Sequence, residues 1–343
     1  MTPELSSDSA LPDSAEVKHT GEGGLLGQGE MGLVRQELLE AEKRLAEKSH
    51  AGAPGLGLAH ERAAILSAVL VRLWECGGGV DCGDGLVLGA VGGFGRQEMS
   101  PASDIDLVFV REGTSNRAAE EVVKRVLYGL WDMGCKVGHA CRTIPETIDR
   151  AEAEPMIKTA LIDARYLAGS VSLWEKSQAE YLRRCLKNHV ESYLGWRLQN
   201  QSARHEKEGG TLFMQEPNLK SGVGGLRDFH NLRWVGRVTE EGATLEELGK
   251  KGWLGSAEVA QAEKAFAFLM TLRDWLHHLQ SGPGDILTLR YQGQLAEAMG
   301  YPQPNILRKS EALLTEAGRG GVTDQVNRPH VPINFSHQRL AFS

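Results

Sequence analysis

The sequence predicts an α/β domain with a mixed sheet, followed by an all-α helical bundle. Two short apolar segments, 86–91 and 107–110, flank a glycine-rich turn, as expected of two strands joined by a loop. Helical periodicity at 60–74 and 116–133 alternates with these segments, which is typical of helices packed on a sheet. From residue 171 onward, nearly all of the pattern is helical.

Two further elements are predicted inside the α/β domain. Residues 136–142 alternate in polarity and predict a third strand. Residues 145–167 show a helical pattern, so the predicted sheet has three strands. The predicted segments are a disordered N-terminus rich in small and charged residues (1–30), N-terminal helices (31–75), the α/β domain (76–170), the helical domain (171–302) and an irregular tail without sustained periodicity (303–343).

Composition excludes several classes of function. The 343 residues include 38 basic and 45 acidic side chains, a net charge of −7, whereas nucleic-acid-binding surfaces are usually basic. The five cysteines form no C-x-x-C pair, which favours reduced thiols in a cytoplasmic protein. No signal peptide or membrane-spanning apolar stretch is recognisable. We therefore expect a cytoplasmic protein that binds neither nucleic acid nor membrane.

Residues 92–106, with the sequence GGFGRQEMSPASDID, carry the chemistry that the sequence shows most clearly. Residues two apart on a strand point to the same face, so Asp104 and Asp106 are expected to project side by side. Magnesium often binds through one or two carboxylates together with substrate phosphates. These two aspartates are therefore the predicted catalytic and metal-binding residues. A chance Asp-Ile-Asp on an exposed strand is the alternative interpretation.

The turn before these aspartates is suited to phosphate binding. Gly92 and Gly93 lack side chains, so their backbone N–H groups can approach a triphosphate closely. Arg96 can pair with a phosphate oxygen. Ser103, next to the first aspartate, completes the predicted nucleotide-binding set. A dinucleotide fingerprint fits poorly, because the glycine spacing and the position of Asp104 are both wrong for it.

A second motif, QEPNLKSGVGGLRD at 215–228, lies within the helical region. Its glycines permit a tight loop, and Lys220, Arg227 and Asp228 give it charges of both signs. Taken alone, a structural turn is the simpler interpretation of this segment.

The first motif resembles the signature of polymerase-β-like nucleotidyltransferases. Together, the two motifs resemble the bacterial PII-protein uridylyltransferase/uridylyl-removing enzyme family. Further matching segments occur in the same order, and the resemblance covers about residues 60–302. These segments are LWD at 130–132, KVGHACRT at 136–143, ALIDARYLAG at 160–169 and RDWLH at 273–277.

The resemblance implies transfer of UMP from UTP to a tyrosine of a PII signal-transduction protein in nitrogen regulation, with release of diphosphate. It implies that Gly92 and Gly93 hold the triphosphate, and that Asp104 and Asp106 bind Mg²⁺. His139 and Arg142, on the neighbouring predicted strand, are accessory candidates that could face the pocket, and a structural role is the alternative interpretation of His139. Lys220, Arg227 and Asp228 are further accessory candidates.

The chain also departs from the family pattern. Polymerase-β-like enzymes usually add a third acidic residue, and the third predicted strand carries none; Asp132, Asp163 and Asp228 are the unranked substitutes. The phosphohydrolase and glutamine-sensing domains of the family are not recognisable, so uridylyl-removing activity is not expected.

Two other functions stay open. An adenylyltransferase of the glutamine-synthetase type shares the fold, and the choice between UTP and ATP cannot be read from Asp-x-Asp. A truncated chain that binds nucleotide or protein without catalysis is the second.

Overall fold

The computed structural model describes the chain from residue 28 to residue 319 with four short gaps, and its residues form two compact units. Of the described residues, those from 28 to 190 and 282–283 belong to unit 1, and those from 191 to 280 and from 284 to 319 belong to unit 2. The residues described are 28–113, 117–211, 214–240, 244–280 and 282–319.

Unit 1 contains a four-stranded mixed sheet in the order β3-β2-β1-β4, which confirms the predicted mixed sheet. Strands β2 and β3 run parallel, while β1 is antiparallel to both β2 and β4. The strands are β1 Leu86–Ala90, β2 Ile105–Arg111, β3 Val137–Arg142 and β4 Arg165–Gly169.

Strand β4 corrects the predicted helix at 145–167. Two short helices, α5 Ile144–Ala153 and α6 Pro155–Ile162, occupy most of that range, and β4 follows them. Thr143 begins α5 with a capping box, and Pro155 opens α6. Because β4 pairs only with β1, long-range pairing rather than a local pattern makes residues 165–169 a strand.

Helices cover both faces of the sheet. Besides α5 and α6, the helices of unit 1 are α1 Gln28–His50, α2 Gly55–Cys76, α3 Gly92–Gly95, α4 Arg117–Asp132 and α7 Val171–Tyr181, with a 3₁₀ segment at Gly79–Gly85 and a π-helical turn at Leu182–Leu186. Leu88 and Leu107 lie on one face of the sheet, in an apolar core with residues of α2 and α4. On the other face, Trp174 of α7 packs against Gly89 so closely that a Cβ there would lie 2.4 Å from the indole ring.

The observed elements and units differ from the predicted boundaries in four places. Helix α7 belongs to unit 1, because Trp174 packs on the sheet, whereas the predicted helical domain begins at 171. Helices α1 and α2 also belong to unit 1 rather than to a separate N-terminal segment. Of the predicted disordered segment only 28–30 are described, and they begin α1. The predicted irregular tail contains a helix at Ile306–Arg319, and residues 320–343 lie outside the described residues.

The described part of unit 2 is built from α-helices, as the sequence predicts. These helices are α8 Val190–Lys207, α9 Leu226–Glu240, α10 Leu245–Lys250, α11 Ser256–Gln280, α12 Leu289–Ala298 and α13 Ile306–Arg319. The rings of Phe229 and Phe266 stack with centroids 4.0 Å apart, so α9 packs on α11 through apolar side chains.

No single helix in the described ranges has both the length and the apolar character of a membrane span. Only α2 together with the 3₁₀ segment after it meets that test, and the two join at a bend of 88°.

Candidate functional site

The glycine turn after β1 lies directly against Asp106. The N–H of Val91 donates to the carbonyl of Asp106 at 3.0 Å. Gly92 has a φ of +57°, and a Cβ added to it would lie 3.1 Å from Oδ2 of Asp106. A side chain at Gly92 would therefore be strained and would crowd the carboxylate. The structure brings together Gly92 and Asp106, which the sequence places in one site.

The two aspartates occupy different backbone settings. Asp106 is the second residue of β2, is half-buried, and is paired with Gly138 of β3. Asp104 is also half-buried but precedes the strand, so strand alternation does not determine where its side chain points. Ser103 forms a turn in which its Oγ accepts the N–H of Ser100 at 3.0 Å.

Arg96 lies in a buried group of charges. Its Nε donates to Glu98 at 2.7 Å, and its Nη1 donates to Asp163 at 2.9 Å. Burial lowers the pKa of Arg96, but the two carboxylates outweigh that effect and raise it above its ordinary value. Sequence reasoning placed Arg96 in the site as a phosphate ligand and did not identify its carboxylate partners.

Residues of the segment 160–169 contact the glycine turn. A Cβ on Gly95 would lie 2.2 Å from the carbonyl oxygen of Asp163. Nη2 of Arg165 donates to the carbonyl of Phe94 at 3.3 Å, and its guanidinium lies 5.3 Å from the centre of the Phe94 ring. Two segments that the resemblance identified separately are therefore in contact.

Gly95→Ala is expected to lower the free energy of unfolding by about 1–3 kcal/mol, because the added methyl group overlaps backbone that cannot move aside easily. Gly93→Ala is the matched control, since its Cβ would have no neighbour closer than 3.9 Å. Urea unfolding of both variants measures the difference. Equal stability of the two variants would contradict the close approach of Gly95 to Asp163.

The structure corrects the expected position of His139. In the parallel register, His139 pairs with Leu107 and so lies on the face opposite Asp106. Its ring meets Trp131 edge-on at 6.2 Å, and burial lowers the pKa of its imidazole. Arg142 pairs with Val110 on the Asp106 face, but four residues further along the strand, which is about 13 Å.

The second motif forms a hydrogen-bonded loop in unit 2. Oδ1 of Asn218 accepts the N–H groups of Lys220 and Ser221 at 3.0 and 2.9 Å. The N–H of Leu226 donates to Leu219 at 3.0 Å, which closes the loop at the start of α9. The simple interpretation of this motif as a structural turn agrees with these bonds.

Asp228 anchors that loop. Its side chain is fully buried and accepts hydrogen bonds from Arg204, from His205 at 2.9 Å and from the N–H of Gly224 at 2.8 Å. Burial raises the pKa of Asp228, but the bonds from His205 and Arg204 outweigh it, so the net direction is down. These bonds hold Asp228 as a structural anion.

Lys220 and Arg227, two further charged residues of the motif, lie close to Asp285. Burial, with the like charge of Arg273, lowers the pKa of Arg227 to about 10, and Asp285 opposes that effect. Lys220 helps to lower the pKa of Asp285. The guanidinium of Arg227 also lies 5.3 Å from the centre of the Trp234 ring.

The described residues contain no group of three or more histidine, cysteine or acidic side chains able to hold a metal. The three candidate third carboxylates have other settings: Asp132 is exposed at the end of α4, Asp163 is paired with Arg96 beside the glycine turn, and Asp228 is bonded to Arg204 within unit 2. Asp104 and Asp106 therefore stay the predicted metal-binding carboxylates.

The sequence of the chain is similar to a known family and to known enzymes. Residues 194–318, nearly all of them in unit 2, match the family model described as GlnD PII-uridylyltransferase. The chain is 37% identical over 232 residues to a bifunctional uridylyltransferase/uridylyl-removing enzyme of Rhodospirillum rubrum, an alignment that covers 68% of this chain and 25% of the relative. It is 36% identical over 214 residues to the enzyme of that name from Erythrobacter litoralis, covering 62% of this chain and 23% of the relative.

These matches confirm the resemblance inferred from the motifs. Each alignment is longer than the 153 residues from 191 to 343 (343 − 190), so it extends into unit 1. The chain spans about a quarter of the length of the curated relatives that it matches.

Proposed function

Because the chain resembles PII uridylyltransferases in both units, we propose that it transfers UMP from UTP to a tyrosine of a PII signal-transduction protein. The observation that carries this proposal is the contact of Gly92 with Asp106 in a turn that joins two strands. That contact brings a phosphate-binding backbone next to a carboxylate, in a chain similar to enzymes named for uridylyl transfer.

The backbone at the start of α3 supplies the phosphate contacts in this proposal. The first N–H groups of a helix have no acceptor inside the helix, and those of Gly92 and Gly93 can donate to phosphate oxygens. The tyrosine oxygen attacks the α-phosphorus in line. As the new oxygen–phosphorus bond forms, the bond to the leaving diphosphate breaks, and the phenolic proton is lost to water.

Asp104 and Asp106 would hold Mg²⁺. The donor set fits that ion, because magnesium takes oxygen ligands and is often bound by one or two carboxylates with substrate phosphates and water completing its shell. When bound, the ion would neutralise negative charge that develops on the leaving diphosphate.

Unit 2 has a separate part in the proposal. The family match at 194–318 lies in this unit except for residues 281–283, which supports a role in uridylyl transfer rather than an unrelated appended domain. We propose that its helices position the protein substrate.

The test is the mass of a PII protein after incubation with this chain, UTP and MgCl₂. We expect an added UMP, and no addition when EDTA replaces MgCl₂. ATP in place of UTP, with either the PII protein or glutamine synthetase as acceptor, tests the adenylyltransferase alternative. UTP binding by folded protein without any mass increase would contradict the proposal and favour a binding module.

A further inference from the structure

A buried ion-pair cluster joins the nucleotide turn to the α6–β4 junction. The side chains of Arg96, Glu98 and Asp163 are only 8%, 5% and 3% exposed, and Arg96 bridges the two carboxylates. Arg96 and Asp163 are 67 residues apart in the chain. Removing charges from water costs free energy unless each charge is paired and hydrogen-bonded, so the ion pairs of this cluster must offset the desolvation of three charged side chains.

The turn needs external support. Helix α3 has only four residues, and such a short helix is not stable by itself. Residues of the α6–β4 junction contact three consecutive residues of the turn. Asp163 binds the guanidinium of Arg96, its carbonyl lies against Gly95, and Arg165 binds the carbonyl of Phe94.

We infer that Asp163 is a positioning residue for nucleotide binding: through Arg96, it holds the backbone of Gly92 and Gly93 in the orientation that receives the triphosphate. This inference rests on the proposed function of the turn. It also assigns Asp163 a role other than that of the third metal-binding carboxylate. Neither the comparisons nor the sequence motifs assign any role to the pair that it forms with Arg96.

The positioning role predicts a specific kinetic pattern. Contacts from the glycine turn to the phosphates are made in the ground state and in the transition state alike, so losing their orientation weakens UTP binding more than turnover. Asp163→Asn keeps the shape of the side chain but removes its charge. We expect this variant to raise the KM for UTP about tenfold, as expected for one charge-assisted hydrogen bond, with kcat changed by less than about twofold.

The experiment compares Asp163→Asn, Arg96→Lys and the control Glu152→Gln. Glu152 makes two hydrogen bonds with Arg184 in the same unit, away from the turn, so its loss tests the general effect of removing an arginine–carboxylate pair. The measurements are KM and kcat for UTP with a PII protein, the Mg²⁺ concentration for half-maximal rate, and UTP binding without PII by titration calorimetry. Arg96→Lys keeps the charge but loses the planar fork, so it should shift UTP binding in the same direction.

The outcomes separate this inference from its alternatives. Weaker UTP binding in both cluster variants, with Glu152→Gln unchanged, supports positioning. Unchanged KM and UTP affinity in folded Asp163→Asn would overturn it and leave the pair a structural brace. A large fall in kcat with a raised Mg²⁺ requirement would overturn it in favour of metal binding by Asp163.

If the wild type binds UTP but transfers nothing, the proposed function fails, while the binding comparison still decides the inference. If Asp163→Asn does not fold, Arg96→Lys decides it by the same measurements.

Discussion

Asp106→Asn is expected to lower UMP transfer by about a thousandfold or more, since losing the carboxylate removes several kcal/mol of charge stabilisation in the transition state. Asparagine has nearly the same shape as aspartate, so the packing against Gly92 and the pairing with Gly138 should survive. The loss should therefore appear in activity and not in folding.

The assay is the rate of diphosphate release with a PII protein and UTP, beside the melting temperature of each variant. Asp149→Asn is the matched control, because Asp149 is an exposed aspartate of α5 in the same unit. We expect that variant to retain wild-type activity. Full activity of Asp106→Asn would remove the carboxylate from the proposed mechanism.

Asp228→Ala is expected to lower the free energy of unfolding by about 3–5 kcal/mol, the usual cost of breaking a buried charge pair by removing one partner. The change leaves Arg204 and His205 without their shared carboxylate and the N–H of Gly224 without its acceptor. The loop that carries the second motif would lose its anchor. Urea unfolding of the full chain measures the change.

Glu263→Ala is the control for that experiment. Glu263 is exposed on α11 in the same unit, and exposed substitutions of this kind usually change stability by less than about 0.5 kcal/mol. If Asp228→Ala unfolds at the same urea concentration as Glu263→Ala, the buried pairs at Asp228 do not stabilise the unit.

The pH dependence of unfolding gives a second view of the same anchor. The folded pKa of Asp228 lies below its ordinary value of 3.8, and hydrogen bonds from His277 and Arg273 also hold the pKa of Asp285 below that value against the effect of burial. A carboxylate with a depressed folded pKa stabilises the fold above its unfolded pKa, and that contribution is lost as the pH falls through the folded value. Wild-type stability should therefore fall as the pH drops below about 4, and Asp228→Ala should show a shallower fall.

The local chemistry of the first motif could be predicted from the sequence, because strand, turn and strand follow one another without a break. The contact between Gly92 and Asp106 needs only that order and the pleat of β2. The bond of Arg96 to Asp163 could not be predicted, because Asp163 comes from a helix–strand junction whose place depends on the pairing of β4 with β1.

Two other residues show the same limit. A strand pattern tells which residues share a face but not which face carries the site, so His139 was an accessory candidate although it lies on the face opposite Asp106. Asp228 was an accessory candidate in a motif that a structural turn also explains, and the positions of Arg204 and His205 on α8 show it as an anchor. In both cases, the deciding neighbour belongs to another element.

The bond between Arg96 and Asp163 also has a consequence for the order of events during synthesis. The glycine turn leaves the ribosome well before the residues that fasten it, since the two partners are 67 positions apart. Closing a loop of that length costs chain entropy, so such contacts form after the local helices. The turn of a nascent chain therefore lacks its bond to Asp163 until the α6–β4 junction has been synthesised and has reached the sheet.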